Sequence, residues 1–310
     1  MTKDVYTLPD LRDRALLDEG ADSPARLAVI GSPVAHSLSP QLHQPVLDAT
    51  GRDLRYIRLE VEPGRLDESL AALQRLEFVG ANVTVPHKFE ALEACDEVEE
   101  AARTLGAVNT ILFDQGLRLG FNTDGPGFVH AIHEEFLVDV KDLRIMVVGA
   151  GGGAGQAIAA QCALERCERL LLVNRTTAKA EALAARLAPF FESERLEGPG
   201  DRLLTFPLDS PHLADVSGHV DLIVNTTSVG LKRTDPSPLP ASCLQPHHLV
   251  YDTIYNPPET KLLAEARRNG ARVANGRSLL LHQGVLAFEL WFPGTRPLEV
   301  MRRALREASP

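Results

Sequence analysis

Ile145-Met-Val-Val148, Gly149-Ala-Gly-Gly-Gly-Ala-Gly155 and Gln156-Ala-Ile-Ala-Ala160 follow one another without interruption in the middle of the chain. An apolar run, a glycine cluster and a run of small residues predict a buried strand, a tight turn and a helix start. Glycines in such a turn let the backbone approach a pyrophosphate held at a helix N-terminus. A second apolar run, Leu170-Leu-Leu-Val173, ends in Asn174-Arg175-Thr176. An acidic residue at that second strand end would bond the ribose of an adenosine. A cation and hydroxyls suit a 2′-phosphate instead. The stretch therefore predicts an NADP site, with Lys179 one helical turn further on as a second cation. A glycine-rich turn also serves plain helix packing, and an isolated arginine is ordinarily a solvated loop residue. The strand–turn–helix–strand context is what favours the cofactor.

Working outward, strands are expected at Leu203–Phe206, Val220–Asn225, Leu249–Asp252 and Arg272–Ala274. Helices are expected over about 177–188, 260–269, 279–291 and 297–308. Upstream, Arg26–Ile30 reads as a strand, and Ser39-Pro40 as a helix N-cap followed by proline, with Pro45 interrupting that helix. Tyr56–Val61 alternates as a strand, Leu66–Leu76 has helical spacing, and Gly80–Val85 is a strand stopped by Pro86. Residues 90–104 look helical, and Val108–Phe113 with Leu117–Phe121 are two strands joined at Asp114-Gln-Gly116. Thr123-Asp124-Gly125 opens a further helix. Strand–helix alternation of this kind predicts doubly wound parallel sheets in both halves. The expected segments are an ancillary arm (1–25), a substrate-binding domain (26–130, completed by helices over 280–310) and a Rossmann-like NADP domain (131–279).

Composition narrows the function. A net charge of −10, from 32 Lys and Arg against 42 Asp and Glu, argues against nucleic acid. Cys95, Cys162, Cys167 and Cys243 form neither a C-x-x-C pair nor a zinc spacing, which fits a reduced cytoplasmic setting. No apolar stretch is long enough to predict a membrane span.

In the first half, polar residues gather at predicted strand ends, where open α/β sheets bind ligands. His36-Ser37-Leu38-Ser39 follows one strand, and Asn82, Thr84 and Lys88 bracket another. Asn109 begins a third, and Asn122-Thr123-Asp124 follows a fourth. Singly these read as caps, turn formers and surface charges. Together they offer hydroxyls, amides and a Lys–Asp pair suited to a polyhydroxylated acid. His43 beside Pro45 reads as a helix-face histidine with no role, and Trp291 as core.

Gly31-Ser-Pro-Val-Ala-His-Ser-Leu-Ser-Pro40, Asn82-Val-Thr-Val-Pro-His-Lys88, Gly106-Ala-Val-Asn109, Asn122-Thr-Asp-Gly125, Asn225-Thr-Thr-Ser228, Tyr251-Asp252 and Leu281-His-Gln283 resemble shikimate dehydrogenase motifs in their family order. The resemblance covers about residues 26–308. It implies two α/β domains with a cleft between them and reversible, NADPH-dependent reduction of 3-dehydroshikimate to shikimate, on the route to chorismate and aromatic amino acids. It also implies that Lys88 and Asp124 are catalytic. Ser37 and Ser39, with Tyr255, would hold the substrate carboxylate, and Thr84, Lys88, Asn109, Asp124 and Gln283 the ring hydroxyls. Gly149, Ala150, Gly151, Gly152, Gly153, Asn174, Arg175, Thr176 and Lys179 would hold the adenosine half of NADP. Thr227, Thr253, Gly276 and Leu279 would line the nicotinamide. No metal, membrane or nucleic-acid partner is implied, and the protein would be a monomer or homodimer.

The glycine loop carries one residue more than the commoner family form, and Lys179 stands where arginine is frequent. Lysine keeps the charge but loses the bidentate fork. A quinate/shikimate dehydrogenase of broader substrate or NAD use is an alternative reading. A ligand-binding regulator without activity is a third, disfavoured by retention of Lys88, Asp124 and the glycine loop.

Overall fold

A computed structural model describes residues 3–192 and 202–308. Two compact units divide the chain: Met1–Thr123 with Leu281–Pro310, and the intervening Asp124–Leu280.

The first unit contains β1 (Tyr6–Thr7), α1 (Arg14–Leu17), β2 (Ala25–Gly31), α2 (Ser39–Ala49), β3 (Arg55–Glu60), α3 (Leu66–Arg75), β4 (Gly80–Val83), α4 (Lys88–Ala94), β5 (Glu97–Val98), α5 (Glu100–Leu105), β6 (Thr110–Asp114) and β7 (Leu117–Phe121). These strands form one sheet in the order β1-β3-β2-β4-β6-β7-β5. The neighbours β3, β2 and β4 are parallel, with Val29 opposite both Arg58 and Asn82. The expectation of a wholly parallel sheet fails at β6, which runs antiparallel to β4 and β7. The two-residue turn Gln115–Gly116, with φ angles of 47° and 83°, returns the chain directly from β6 into an antiparallel β7.

Three further expectations need correction. The helix over 90–104 is split into α4 and α5 by β5. There, the Asp96 amide donates to the Arg118 carbonyl (3.0 Å) and the Glu99 amide to that of Gly120 (3.0 Å). Pairing with β7 overrides local helical periodicity. Pro45 does not stop α2, which continues to Ala49 with Leu42, Val46 and Leu47 buried. Burial of that apolar stripe offsets the one helical hydrogen bond that proline removes. The described residues of the expected ancillary arm (1–25), from residue 3 onward, belong to the unit, since β1 extends the sheet beside β3 and Tyr6, Leu11 and Leu17 are buried. Three anchors spaced that widely leave no periodic pattern to read.

The second unit contains α6 (Asp124–Phe136), β8 (Arg144–Val148), α7 (Gly153–Leu164), β9 (Arg169–Asn174), α8 (Thr177–Phe191), β10 (Leu203–Pro207), α9 (Leu213–Ser217), β11 (Leu222–Asn225), β12 (Leu249–Asp252), α10 (Lys261–Arg268) and β13 (Arg272–Asn275). Its sheet runs β10-β9-β8-β11-β12-β13 and is parallel throughout. The central strands are buried on both faces, so they read as continuous apolar runs rather than alternating ones. The unit starts at Asp124, a few residues before the expected start at 131, because α6 packs on α7. Its other end lies within α11 (Arg277–Trp291), whose residues from Leu281 belong to the first unit together with α12 (Leu298–Glu307). There α12 covers α2, and the Trp291 Nε1 donates to the Ile111 carbonyl (3.0 Å), which places Trp291 in the core as expected. Among the described residues, no helix is long and apolar enough to cross a membrane.

Candidate active site

In the first unit Ser37 and Ser39 follow β2, and Thr84 and Lys88 follow β4, both parallel strands. The segment after β2 carries Ser37 and Ser39 into α2. Ser37 Oγ donates to Ser39 Oγ (3.1 Å), and the Ser39 amide donates back to Ser37 Oγ (3.3 Å). Ser39 is the first helical residue and makes no cap bond, contrary to the N-cap expected of it. Its hydroxyl faces its neighbour Ser37 instead. Two hydroxyls at the positive end of an eleven-residue helix form a receptor for an anion such as a carboxylate.

The next strands supply a buried polar network. Tyr56 Oη donates to Asn82 Oδ1 (2.7 Å), and the Asn82 amide reaches Thr110 Oγ1 (3.2 Å). Thr110 in turn donates to Asn109 Oδ1 (3.1 Å), which also accepts from the Thr123 amide (2.7 Å). The Asn109 side-chain amide donates to Thr123 Oγ1 (3.0 Å). The network thus fixes the peptide that leads into Asp124. Asn82 is a buried strand residue, not the turn former its type alone suggests. Thr84 follows β4, with its amide on the Ile30 carbonyl (2.8 Å). Lys88 opens α4 and Gln283 lies on α11, both half-buried. Asp124, also half-buried, opens α6 and belongs to the second unit, as does Tyr255.

Three side chains of β3 escaped sequence reading. Tyr56, Arg58 and Glu60 share one face, while Ile57 and Leu59 turn to the core with Val61 just beyond the strand. Glu60 accepts from Ser32 Oγ (2.7 Å) and the Val34 amide (2.8 Å), at the start of the serine loop. Arg58 holds the other end of that loop through the Ser37 carbonyl. The available signal was a period-two alternation in which the polar face carries an Arg and a Glu. Burial drives the Tyr56 phenol well above its ordinary pKa, so it stays a neutral donor.

His43 differs most from expectation. It is fully buried, stacked on Tyr56 at 4.6 Å with an interplanar angle of 3°, and close to Phe288 and Trp291. Burial lowers its pKa to about 3. Neither ring nitrogen has a hydrogen-bond partner among the described residues. His43 therefore serves as a neutral aromatic plate under the Tyr56 ring.

In the second unit the glycine loop spans residues 149–152, between β8 and α7. Gly149 has φ +88°, and a Cβ there would lie 2.6 Å from Thr227 Cγ2. At Gly155 a Cβ would lie 2.7 Å from Thr226 Oγ1 and 2.9 Å from Ala150 Cα, and closer still to the Gly149 carbonyl oxygen. The glycine that lets the helix pack onto the turn is therefore Gly155, in the first turn of α7. No side chain caps that helix, whose N-cap is Gly152. Its first amides are available to an anionic group.

Asn174 links the loop to the next strand end. It accepts from the Gly151 amide (3.3 Å) and donates to the Thr176 carbonyl (2.8 Å). Arg175, Thr176 and Lys179 are exposed beside it, and among the described residues neither cation is in an ion pair. Asn225 accepts from Thr227 Oγ1 (2.8 Å) and donates to Asp252 Oδ1 (3.0 Å), while Thr253 Oγ1 donates to the Asn225 carbonyl (2.9 Å). Burial raises the Asp252 pKa, opposed by hydrogen bonds from Thr260, the Ile254 amide and Asn225. The amide of Leu279 donates to Tyr251 Oη (3.1 Å), and Gly276 lies against the Thr253 carbonyl. Hydrogen bonds to Asn225 thus tie Thr227 and Thr253 together, while Leu279 is held separately by Tyr251. An uncapped helix start, a turn with no side chain larger than a methyl and two exposed cations fit a dinucleotide bearing an additional phosphate.

Three family models match the chain. These are the shikimate dehydrogenase substrate binding domain over residues 29–111, shikimate/quinate 5-dehydrogenase over 131–198, and the shikimate 5′-dehydrogenase C-terminal domain over 276–306. A shikimate dehydrogenase (NADP(+)) of Moorella thermoacetica is 42% identical over 283 residues, covering 91% of this chain and 92% of the relative. The crystal structure of shikimate 5-dehydrogenase from Thermus thermophilus in complex with NADP(H) and shikimate aligns with a TM-score of 0.79 at 35% identity, covering 92% of this chain and 100% of that one. Quinate dehydrogenase from Corynebacterium glutamicum in complex with NAD aligns with a TM-score of 0.81 at 30% identity, over 92% of this chain and 100% of that one.

Proposed function

The chain belongs to the shikimate/quinate dehydrogenase family, and we propose that it catalyses the reversible, NADPH-dependent reduction of 3-dehydroshikimate to shikimate. The observation that carries this reading is the buried network from Tyr56 to Thr123. It fixes the side chains of Asn82, Thr110 and Asn109 and ends on the peptide preceding Asp124, which supports Asn109 and Asp124 as contacts of a polyhydroxylated ring. Ser37 and Ser39 receive the carboxylate at the start of α2, assisted by Tyr255. Thr84, Asn109 and Gln283 contact ring hydroxyls.

When bound, NADPH supplies the hydride that reduces the ring carbonyl. Lys88 donates a proton to the oxygen that becomes the hydroxyl, and in oxidation takes it back. Asp124 accepts a hydrogen bond from that same hydroxyl and so fixes its direction. Gly149, Ala150, Gly151, Gly152 and Gly153 offer backbone to the pyrophosphate. Arg175 and Lys179, with Thr176, engage the 2′-phosphate, and Asn174 holds the two loops at a set spacing. Thr227, Thr253, Gly276 and Leu279 border the nicotinamide. NADP is favoured over NAD because the end of β9 presents Asn174, Arg175 and Thr176 and no carboxylate. Four thiols without a disulfide suit a cytoplasmic setting.

The test is a steady-state assay of shikimate and quinate, each against NADP and NAD. Turnover confined to shikimate with NADP is expected. Comparable turnover of quinate with NAD would move the protein to the quinate dehydrogenase side of the family. No turnover in any combination would reject the enzyme reading.

A further inference from the structure

The proposed carboxylate receptor holds only neutral hydroxyls and a helix start. A carboxylate drawn out of water needs a compensating cation as well as hydrogen bonds. We infer that Arg58 supplies this charge from behind the serine loop, as a positioning residue that does not touch the substrate. The inference rests on the reading that Ser37 and Ser39 receive the carboxylate.

Arg58 is only 8% exposed and lies on the polar face of β3. Its Nε and Nη2 both donate to the Ser37 carbonyl, at 3.0 and 2.8 Å. Nη2 also donates to Gln41 Oε1 (2.9 Å), in the first turn of α2. The guanidinium therefore grips the backbone of one proposed carboxylate donor and the helix that carries the other. Its partner carboxylate is Asp4 at 2.8 Å, whose side chain is 82% exposed. Solvent screens the exposed Asp4 more than the buried guanidinium, so Asp4 offsets the charge of Arg58 only in part on its inner side. Glu60, two residues on, takes the far end of the loop at Ser32 and Val34. The cation of this pair is thus at the serine end and the anion at the other. A neutral side chain would tie the Ser37 carbonyl equally well, whereas a guanidinium adds a field along the same direction. Unit charges on the order of 10 Å apart, at an effective dielectric of about 20, alter an anion's binding by roughly tenfold.

The experiment compares shikimate with its methyl ester, which keeps the ring hydroxyls and loses the negative charge. Arg58→Gln is expected to raise the KM for shikimate about tenfold, with kcat within twofold, and to leave the KM for the ester nearly unchanged. Arg58→Lys should restore most of the shikimate KM. Equal losses on acid and ester would overturn the inference in favour of a plain structural tie, as would no loss on either. Asp4→Asn gives a second reading without touching the buried guanidinium. It should lower the shikimate KM about twofold and spare the ester, and an unchanged or raised shikimate KM counts against the proposal. The double variant Ser37→Ala, Ser39→Ala separates the two levels. If it weakens acid and ester equally, the carboxylate assignment itself fails, independently of Arg58.

Discussion

Replacing Gly155 by alanine should harm both stability and cofactor binding, while the same change at Gly152 should cost less stability. A Cβ at Gly155 meets Thr226 Oγ1 at 2.7 Å, Ala150 Cα at 2.9 Å and the Gly149 carbonyl oxygen more closely. Two of those neighbours are backbone, so no side-chain rotation relieves the clash. Thr226 Oγ1 is held by its own bond to the Val148 carbonyl (2.7 Å). The start of α7 must therefore retreat by roughly 1 Å from a close-packed turn, which costs about 1–3 kcal/mol. At Gly152 the nearest atom to a new Cβ is the Gly149 carbonyl oxygen at 3.5 Å, an ordinary contact. With no clash, that change should cost about 1 kcal/mol or less, the difference between glycine and alanine at an N-cap. The same retreat in Gly155→Ala carries the first amides of α7 away from a bound pyrophosphate and should weaken NADPH binding by about tenfold or more. Urea unfolding of both variants reads the first effect, and titration of nicotinamide fluorescence reads the second. If Gly155→Ala keeps the wild-type urea midpoint and NADPH affinity, the assignment of Gly155 as the packing glycine is wrong.

Lys88→Ala should lower kcat by about 10²–10⁴ while leaving NADPH affinity within twofold, measured by steady-state rates and fluorescence titration; near-normal turnover would remove Lys88 from the proton step. Arg175→Ala combined with Lys179→Ala should raise the KM for NADP about tenfold and hardly change that for NAD, and equal effects on both would place these cations away from the 2′-phosphate. His43 has a folded pKa of about 3, below its unfolded value, so the unfolded chain binds the additional proton between. Its contribution is full above about pH 6.5 and declines as pH falls, by about 1.4 kcal/mol per unit through that window. His43→Leu should flatten the fall in stability between pH 6.5 and 5 by up to about 2 kcal/mol, which urea midpoints at the two pH values would detect; an unaltered slope would show that His43 is not the titrating group.

The parallel sheet of the second unit was legible because its central strands are buried on both faces and read as continuous apolar runs. The first unit was less so. Its hairpin is visible at Asp114-Gln-Gly116, yet nothing local says that the hairpin joins the parallel strands in one sheet. Short pairings such as Glu97–Val98 bury almost nothing, so no hydrophobic pattern announces them. The predicted ligand residues of the first unit stand out by type at strand ends. Their supports do not, because Tyr56, Arg58 and Glu60 are distinguished only by which face of β3 they occupy. His43 is hidden for a related reason: beside a proline the facing of a helix residue is hard to judge, and its surroundings arrive from Phe288 and Trp291, near the far end of the chain.

The return of Leu281–Pro310 to the first unit has a consequence for biosynthesis. A ribosome completes the residues of the second unit while the first still lacks its last two helices. During that interval α2 is without its cover from α12, and the Ile111 carbonyl is without the Trp291 donor. Chain order and folding order are then reversed: the unit whose residues emerge first is the last to close, and a chain released before Trp291 would carry a finished dinucleotide fold beside an unfinished partner.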